Sequence, residues 1–155
     1  MSKDHPGVYI PPPLIYVAFF FLSVVLQRQW PFKSTFFDTA RAPFIGWLLI
    51  ALGFILIFPA LRRFLVSKNT LITVKPAHSL QTTGVYTYTR NPMYMGLLLL
   101  YSGVALFQGN EWTFIVLPLL ILVIRLYIIR KEENYLQRAF GEEYNAYRRR
   151  VRTWI

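Results

Sequence analysis

Four runs of apolar residues divide the chain. The clearest, Ala42 to Leu61, holds no charge, is long enough to cross a bilayer at about 1.5 Å per residue, and has Pro43 near a helix N1 position. Arg62 and Arg63 close it. The first run, Leu14 to Leu26, is short, but Val8 to Pro13 and Trp30 extend it into the interfacial zones where aromatic residues settle. The third runs from Pro92 to Phe107, and the fourth from Trp112 through Ile124 and past Arg125 to Ile129. Only Gln108 to Glu111 separates them, and Gly109 and Asn110 suit a helix stop and a turn, so the pair is expected to form an antiparallel hairpin. Gly96 and Gly103 share one face of the third helix, where a neighbouring helix or a ligand can approach closely. Pro118 predicts a kink in the fourth.

Beyond the fourth run, Leu136, Phe140, Tyr144, Tyr147 and Val151 recur at helical spacing, which predicts an amphipathic tail helix over residues 132–150, interrupted at Gly141. The expected architecture is therefore all-α: a single polytopic membrane domain over residues 1–155. Its spans are near 10–30, 42–63, 92–108 and 112–130, followed by a tail helix on the membrane surface or folded back on the hairpin. A signal peptide is the other reading of the first run. Gln27-Arg28-Gln29-Trp30 offers no small-residue cleavage site, so the run is expected to stay in the mature chain.

Composition supports a bilayer as the solvent. Of the 155 residues, 55% are hydrophobic and 17% aromatic, and the mean hydropathy is +0.38, above the range of soluble domains. The net charge of +10 would suggest nucleic acid in a soluble chain, but here the cations flank apolar runs. All Lys and Arg except Arg28, Lys33, Arg41 and Arg125 fall on one side of the expected topology, which predicts both termini and the central loop in the cytoplasm, the membrane being a bacterial inner one. Absence of cysteine excludes disulfides and thiolate catalysis, and His5 and His78 alone make a zinc site unexpected.

The candidate chemistry lies in two stretches. One is the polar, aromatic loop from Lys75 to Gly96, at whose end Asn91 and Pro92 mark a helix entrance: Asn91 suits the cap, Pro92 the first turn. The other is Glu132-Glu133, where the fourth run leaves the membrane. Arg125 and Glu132 are seven apart and are expected on one helix face. These residues read either as a solvated helix exit with a snorkelling Arg125 or as a polar cup at the membrane boundary.

The string His78-x-Leu80-x-Thr82-x-Gly84-Val85-Tyr86-x-x-x-Arg90-Asn91-Pro92-x-Tyr94-x-Gly96 recurs in order with Glu132-Glu133-x-x-Leu136-x-x-x-Phe140-Gly141-Glu142-Glu143-Tyr144-x-x-Tyr147-x-x-x-Val151. Together they resemble the signature of the isoprenylcysteine carboxyl methyltransferase family and, more faintly, that of phospholipid N-methyltransferases. The resemblance implies a cofactor pocket without a Rossmann sheet, in which the loop and the glutamates hold S-adenosylmethionine and the acceptor comes from the bilayer. It implies that His78, Leu80, Gly84, Tyr86, Asn91, Pro92 and Tyr94 line the cofactor and that Glu132 or Glu133 accepts hydrogen bonds from it. Arg90 would lie near the transferred methyl or the acceptor, with Tyr94 and Glu133 as the other catalytic candidates. Asn91 departs from the family's animal enzymes, which have His there, so any contact needing an imidazole is lost or passes to an amide.

Methyl transfer from a sulfonium needs alignment and exclusion of water but no metal. A carboxylate acceptor needs no base and could be oriented by Arg90; an amine would need one, such as a glutamate or Tyr94. The expected function is S-adenosylmethionine-dependent methyl transfer to a lipophilic or membrane-partitioned carboxylate, amine or thiol, without nucleic acid. The alternatives are a small four-helix transporter, against which the lack of acidic residues within the spans argues, and a non-catalytic membrane assembly factor.

Overall fold

A computed structural model describes residues 5–67 and 79–154. Helix α1 spans Pro12–Gln29, and a short 3₁₀ turn, Thr35–Asp38, leads into α2, Arg41–Val66. A second 3₁₀ turn, Gly84–Thr87, precedes α3, Pro92–Gln108. Then α4, Glu111–Val123, runs through a π-helical stretch, Ile124–Ile129, into α5, Arg130–Arg150. No strand occurs among the described residues. Three helical stretches are long and apolar enough to cross a membrane: α1, α2, and the 40 residues from Glu111 to Arg150, which kink at Gly141, while α3 is apolar but shorter. Phe44, Trp47, Ile55 and Phe58 of α2 point outward, which suits a helix surrounded by lipid. The protein is an all-α integral membrane protein.

Prolines start two of the helices, Pro92 as expected and Pro12 besides, and both sit in first turns, where a missing N–H costs nothing. Gly109 ends α3 in the left-handed conformation, φ 59°, so the tight turn to α4 forms where the sequence placed it. Arg62 and Arg63 do not end α2, which continues to Val66. Arginine is a good helix former, so charge ends the apolar run without ending the helix.

Antiparallel glycines set the packing of α2 on α3. Gly46 faces Gly103 and Gly53 faces Gly96; a Cβ on Gly53 would lie 2.9 Å from the Gly96 carbonyl oxygen, and one on Gly103 would lie 2.8 Å from that of Gly46. The neighbour expected at Gly96 and Gly103 is thus helix α2, and no ligand is needed to explain them. Helix α1 instead lies along α4, where Ser23 Oγ and Thr113 Oγ1 are 3.0 Å apart. Tyr16 crosses to α3, donating its hydroxyl to the Tyr94 carbonyl at 2.9 Å.

The last helix differs most from expectation. Its change of register falls at Ile124–Ile129, six residues after Pro118, and the tail is no separate helix but a continuation of α4. Arg130 to Glu133 are good helix formers without a breaker, which allows the continuation. A π turn holds extra residues, rotating everything after it relative to an ideal α-helix. Arg125 is accordingly exposed, whereas Glu132, seven residues on, faces inward, so the shared face expected for the pair does not form. Gly141 interrupts α5 with φ 50° and ψ −121°, as its position suggested. The bend brings Tyr144 and Tyr147 back toward the loop before α3, where Tyr147 donates to the Tyr86 carbonyl at 2.7 Å.

Candidate functional site

A cavity of about 340 Å³ opens where the α2 C-terminus, the loop before α3, the first turn of α3 and the first turns of α5 meet. Its size falls within the range of small-molecule sites. Its lining is in part polar and aromatic, with Tyr86, Arg90, Asn91, Tyr94, Glu132, Glu133, Tyr144 and Tyr147, and in part apolar, with Ile57, Leu61 and Phe64 of α2, Leu80, Met93, Leu97 and Leu136. Residues Ile57, Leu61 and Phe64 fall at i, i+4 and i+7, so a single stripe of α2 supplies much of the apolar part.

The two adjacent glutamates have different partners. Tyr94 donates its hydroxyl to Glu132 Oε1 at 2.7 Å. Glu133 pairs with the Arg90 guanidinium at 2.9 Å, the two side chains being 20% and 9% exposed. The span expected from the sequence ends near residue 130, which would put Glu132 and Glu133 just beyond the membrane. Burial pushes the Glu132 carboxyl up to about 7; the Tyr94 hydrogen bond opposes this, and the charge of Glu133 adds to it. Burial likewise raises the phenols of Tyr86 and Tyr147, so both stay protonated donors at neutral pH.

The C-terminal segment fixes Arg90 and Asn91. The Arg90 amide donates to the Arg152 carbonyl at 3.0 Å, its guanidinium to the Thr153 hydroxyl and, at 3.5 Å, to the Tyr144 hydroxyl. Asn91 was expected to cap α3 with its side chain, but that amide donates to the Thr153 carbonyl at 2.9 Å. The tail carbonyl competes successfully for the amide, and Thr89 Oγ1 donates to the same oxygen at 3.1 Å.

Of the residues singled out from the sequence, Leu80, Tyr86, Arg90, Asn91, Pro92, Tyr94, Glu132 and Glu133 meet at this cavity. His78 lies outside the described residues. Gly84 stands apart: it lines a separate cleft with its φ at +65°, and a Cβ there would come within 2.5 Å of the Arg63 Nε. Its glycine character serves a close approach by arginine, not the cavity. Sequence reasoning missed Thr153, which lies beyond the recognised strings, and Pro6, Pro12 and Pro13, which close the cavity from the N-terminal side. Tyr144 and Tyr147 belong to the apolar stripe and to the second recognised string, but were given no role at the site.

The residues present suit S-adenosylmethionine. Tyr86 Oη and Arg90 Nε are buried with no hydrogen-bond partner among the described residues, and both residues line the cavity, so each can bond a polar ligand. Carboxylates and aromatic faces there complement a cationic sulfonium. No group of three or more His, Cys, Asp or Glu among the described residues could hold a metal.

Comparison with known proteins bears on the same stretch. The family profile "Phospholipid methyltransferase" matches residues 42–143. An uncharacterized protein of Haemophilus influenzae is 40% identical over 63 residues, which is 41% of this chain and 100% of that protein. The Protein-S-isoprenylcysteine O-methyltransferase of Schizosaccharomyces pombe is 33% identical over 78 residues, covering 50% of this chain but only 33% of that enzyme. No solved structure matches. The family match runs from the start of α2 through the loop, α3 and both glutamates to the bend in α5, and the chain belongs to the phospholipid methyltransferase family, with a likeness to isoprenylcysteine methyltransferases.

Proposed function

We propose that this protein transfers a methyl group from S-adenosylmethionine to a lipophilic acceptor at the cytoplasmic face of the membrane. The observation that carries the reading is the meeting of two stretches distant in sequence, Tyr86 to Tyr94 and Glu132 to Tyr147, around one cavity to which α2 adds the apolar Ile57, Leu61 and Phe64. Family membership makes the chemistry methyl transfer. The S. pombe relative points to a prenylated acceptor and the family description to a phospholipid, and both are lipophilic.

When bound, S-adenosylmethionine supplies a methyl carbon activated by a positive sulfonium. The polar part of the lining binds it: Tyr86 and Asn91 offer hydrogen bonds, and Glu132 and Glu133 balance its charge. Arg90, already paired to Glu133 and tied to Thr153, is a positioning residue that holds Glu133 and the tail in place. Glu132, hydrogen-bonded to Tyr94, is suited to take a proton near neutral pH from an amine or thiol acceptor. The Ile57-Leu61-Phe64 stripe receives the acceptor's hydrocarbon and keeps water from the reacting atoms. The distribution of Lys and Arg supports an orientation with both termini and the loop in the cytoplasm.

Isothermal titration of the detergent-solubilised protein with S-adenosylmethionine tests the cofactor, and incubation with methyl-labelled cofactor and a total lipid extract identifies the acceptor. Saturable binding weakened by Tyr86→Ala, with label in a lipid fraction, is the expected result. Absence of binding from a protein that retains its helical spectrum would overturn the proposal.

A further inference from the structure

The second cleft shares no lining residue with the cavity. It lies between the C-terminal end of α2, with Pro59, Arg62 and Arg63, and the 3₁₀ turn, with Gly84, Val85 and Tyr88. Two consecutive arginines, Arg62 and Arg63, line it, and neither forms a salt bridge among the described residues. Arg63 is held in place: its guanidinium donates to the Thr83 hydroxyl and passes over Gly84, where no Cβ obstructs it. Arg62 is exposed. A pair of arginines lining one cleft is the chemistry that grips a phosphate, through N–H donors as well as charge.

The surroundings say where that phosphate comes from. Ile55, Phe58 and Arg62 are spaced three and four apart, so they share one face of α2. Ile55 is 61% and Phe58 62% exposed, and both lie on the bilayer side of Arg62, within the uncharged run. Tyr88, 78% exposed, adds an aromatic ring of the kind that settles at headgroup depth. A molecule with an anionic head at Arg62 and Arg63 and hydrocarbon along Phe58 and Ile55 fits this stripe.

We infer that the cleft binds the phosphate of an anionic phospholipid headgroup. The 3₁₀ turn then serves two sites, because Val85 faces the cleft while Tyr86 faces the cavity. A headgroup bridging α2 to this turn steadies the segment that carries Tyr86. The inference is independent of the methyl-transfer reading, since its readout is lipid retention.

The test is native mass spectrometry of the full-length protein released from micelles containing equal amounts of phosphatidylglycerol and phosphatidylcholine. One phosphatidylglycerol should be retained in preference to phosphatidylcholine. Arg62→Gln, at an exposed position, should fold normally and weaken retention about fivefold, and the Arg62→Gln/Arg63→Gln pair about thirtyfold. Arg149→Gln/Arg150→Gln removes the same charge from the exposed tail and should leave retention unchanged. Equal retention of the two lipids, or equal losses from the α2 and tail variants, would show only diffuse surface charge and overturn the assignment. Displacement of phosphatidylglycerol by millimolar inorganic phosphate would also overturn it, assigning the cleft to a free anion.

Discussion

Both ends of the helical bundle bury a carboxylate among hydroxyl groups, and they use it in opposite ways. At the α3–α4 turn, Glu111 is 5% exposed and accepts the Ser34 amide at 2.6 Å. Beside it, Asn110 donates to Ser23 Oγ at 3.2 Å, and Ser23 in turn meets Thr113. Two atoms of this cluster, Asn110 Oδ1 and Glu111 Oε2, stay buried without a hydrogen-bond partner among the described residues, yet none of these residues lines the cavity. At the other end, Glu132 and Glu133 are also partnered, but their partners, Tyr94 and Arg90, face the cavity with them. A buried carboxylate therefore marks chemistry only where its surroundings leave space for a second molecule. If this contrast is right, substitutions at the cavity end change activity in ways that those at the turn do not.

The largest effect is expected from Arg90→Ala. It leaves the half-buried Glu133 charge without its partner, a loss of about 1–3 kcal/mol, between the values for exposed and buried pairs, and it releases the bond to Thr153. The melting temperature in detergent should fall sharply and methyl transfer should disappear. Replacing the pair together, Arg90→Met with Glu133→Leu, should recover much of the stability and none of the activity. Recovery of activity in the double variant would mean that neither group touches the reaction.

Glu132→Gln separates chemistry from stability. If Glu132 takes the acceptor's proton, the variant should lose about a hundredfold in methyl transfer, the lower range for a general base, and lose the rise in activity as pH climbs through about 7. Stability should move the other way. Folding raises this carboxyl from 4.5 to about 7, so between those values the folded state holds the proton more tightly, and the wild type loses stability as pH rises across that window. The Gln variant escapes this loss. Without cofactor it should melt like the wild type at pH 4 and above it at pH 8; equal melting at both would show that the carboxyl is not perturbed.

The hydrophobic pattern disclosed the helices and the turn at Gly109, because apolar run length and a glycine stop are properties of the sequence itself. It disclosed half of the α2–α3 contact: Gly96 and Gly103 stood out, while their counterparts Gly46 and Gly53 went unnoticed inside a uniformly apolar run. The π stretch was not legible, since a wide turn depends on packing around it and not on composition. For the same reason the shared face of Arg125 and Glu132 was misjudged, although the resemblance named the glutamates. Which glutamate pairs with Tyr94 and which with Arg90 depends on helix phase after Ile129, and strings of residues do not carry that phase. Thr153 was invisible because it acts through a tertiary contact with no local signal.

An intermediate effect is expected at the interface joining the two ends. Gly53→Ala sets a Cβ 2.9 Å from the Gly96 carbonyl oxygen, a backbone atom that cannot swing aside. Overpacking of this kind costs about 1–3 kcal/mol. Because Ile57, one turn further along α2, lines the cavity, the shift should also weaken cofactor affinity, measurable by titration calorimetry. A loss of stability with unchanged affinity would show that the cavity wall is insulated from the helix contact.

The smallest effect should come from Glu111→Gln, and it tests the contrast most directly. The amide can still accept the Ser34 N–H, so only the charge assistance is lost, and bonds to charged and neutral acceptors differ by about 1 kcal/mol. Unfolding should shift by no more than that, and methyl transfer should stay within about twofold, since a 1.4 kcal/mol change in a barrier would be needed for tenfold. A large loss of activity with the fold intact would mean that the turn end communicates with the cavity through α4 and the π stretch, and the division between a structural end and a chemical end would fail.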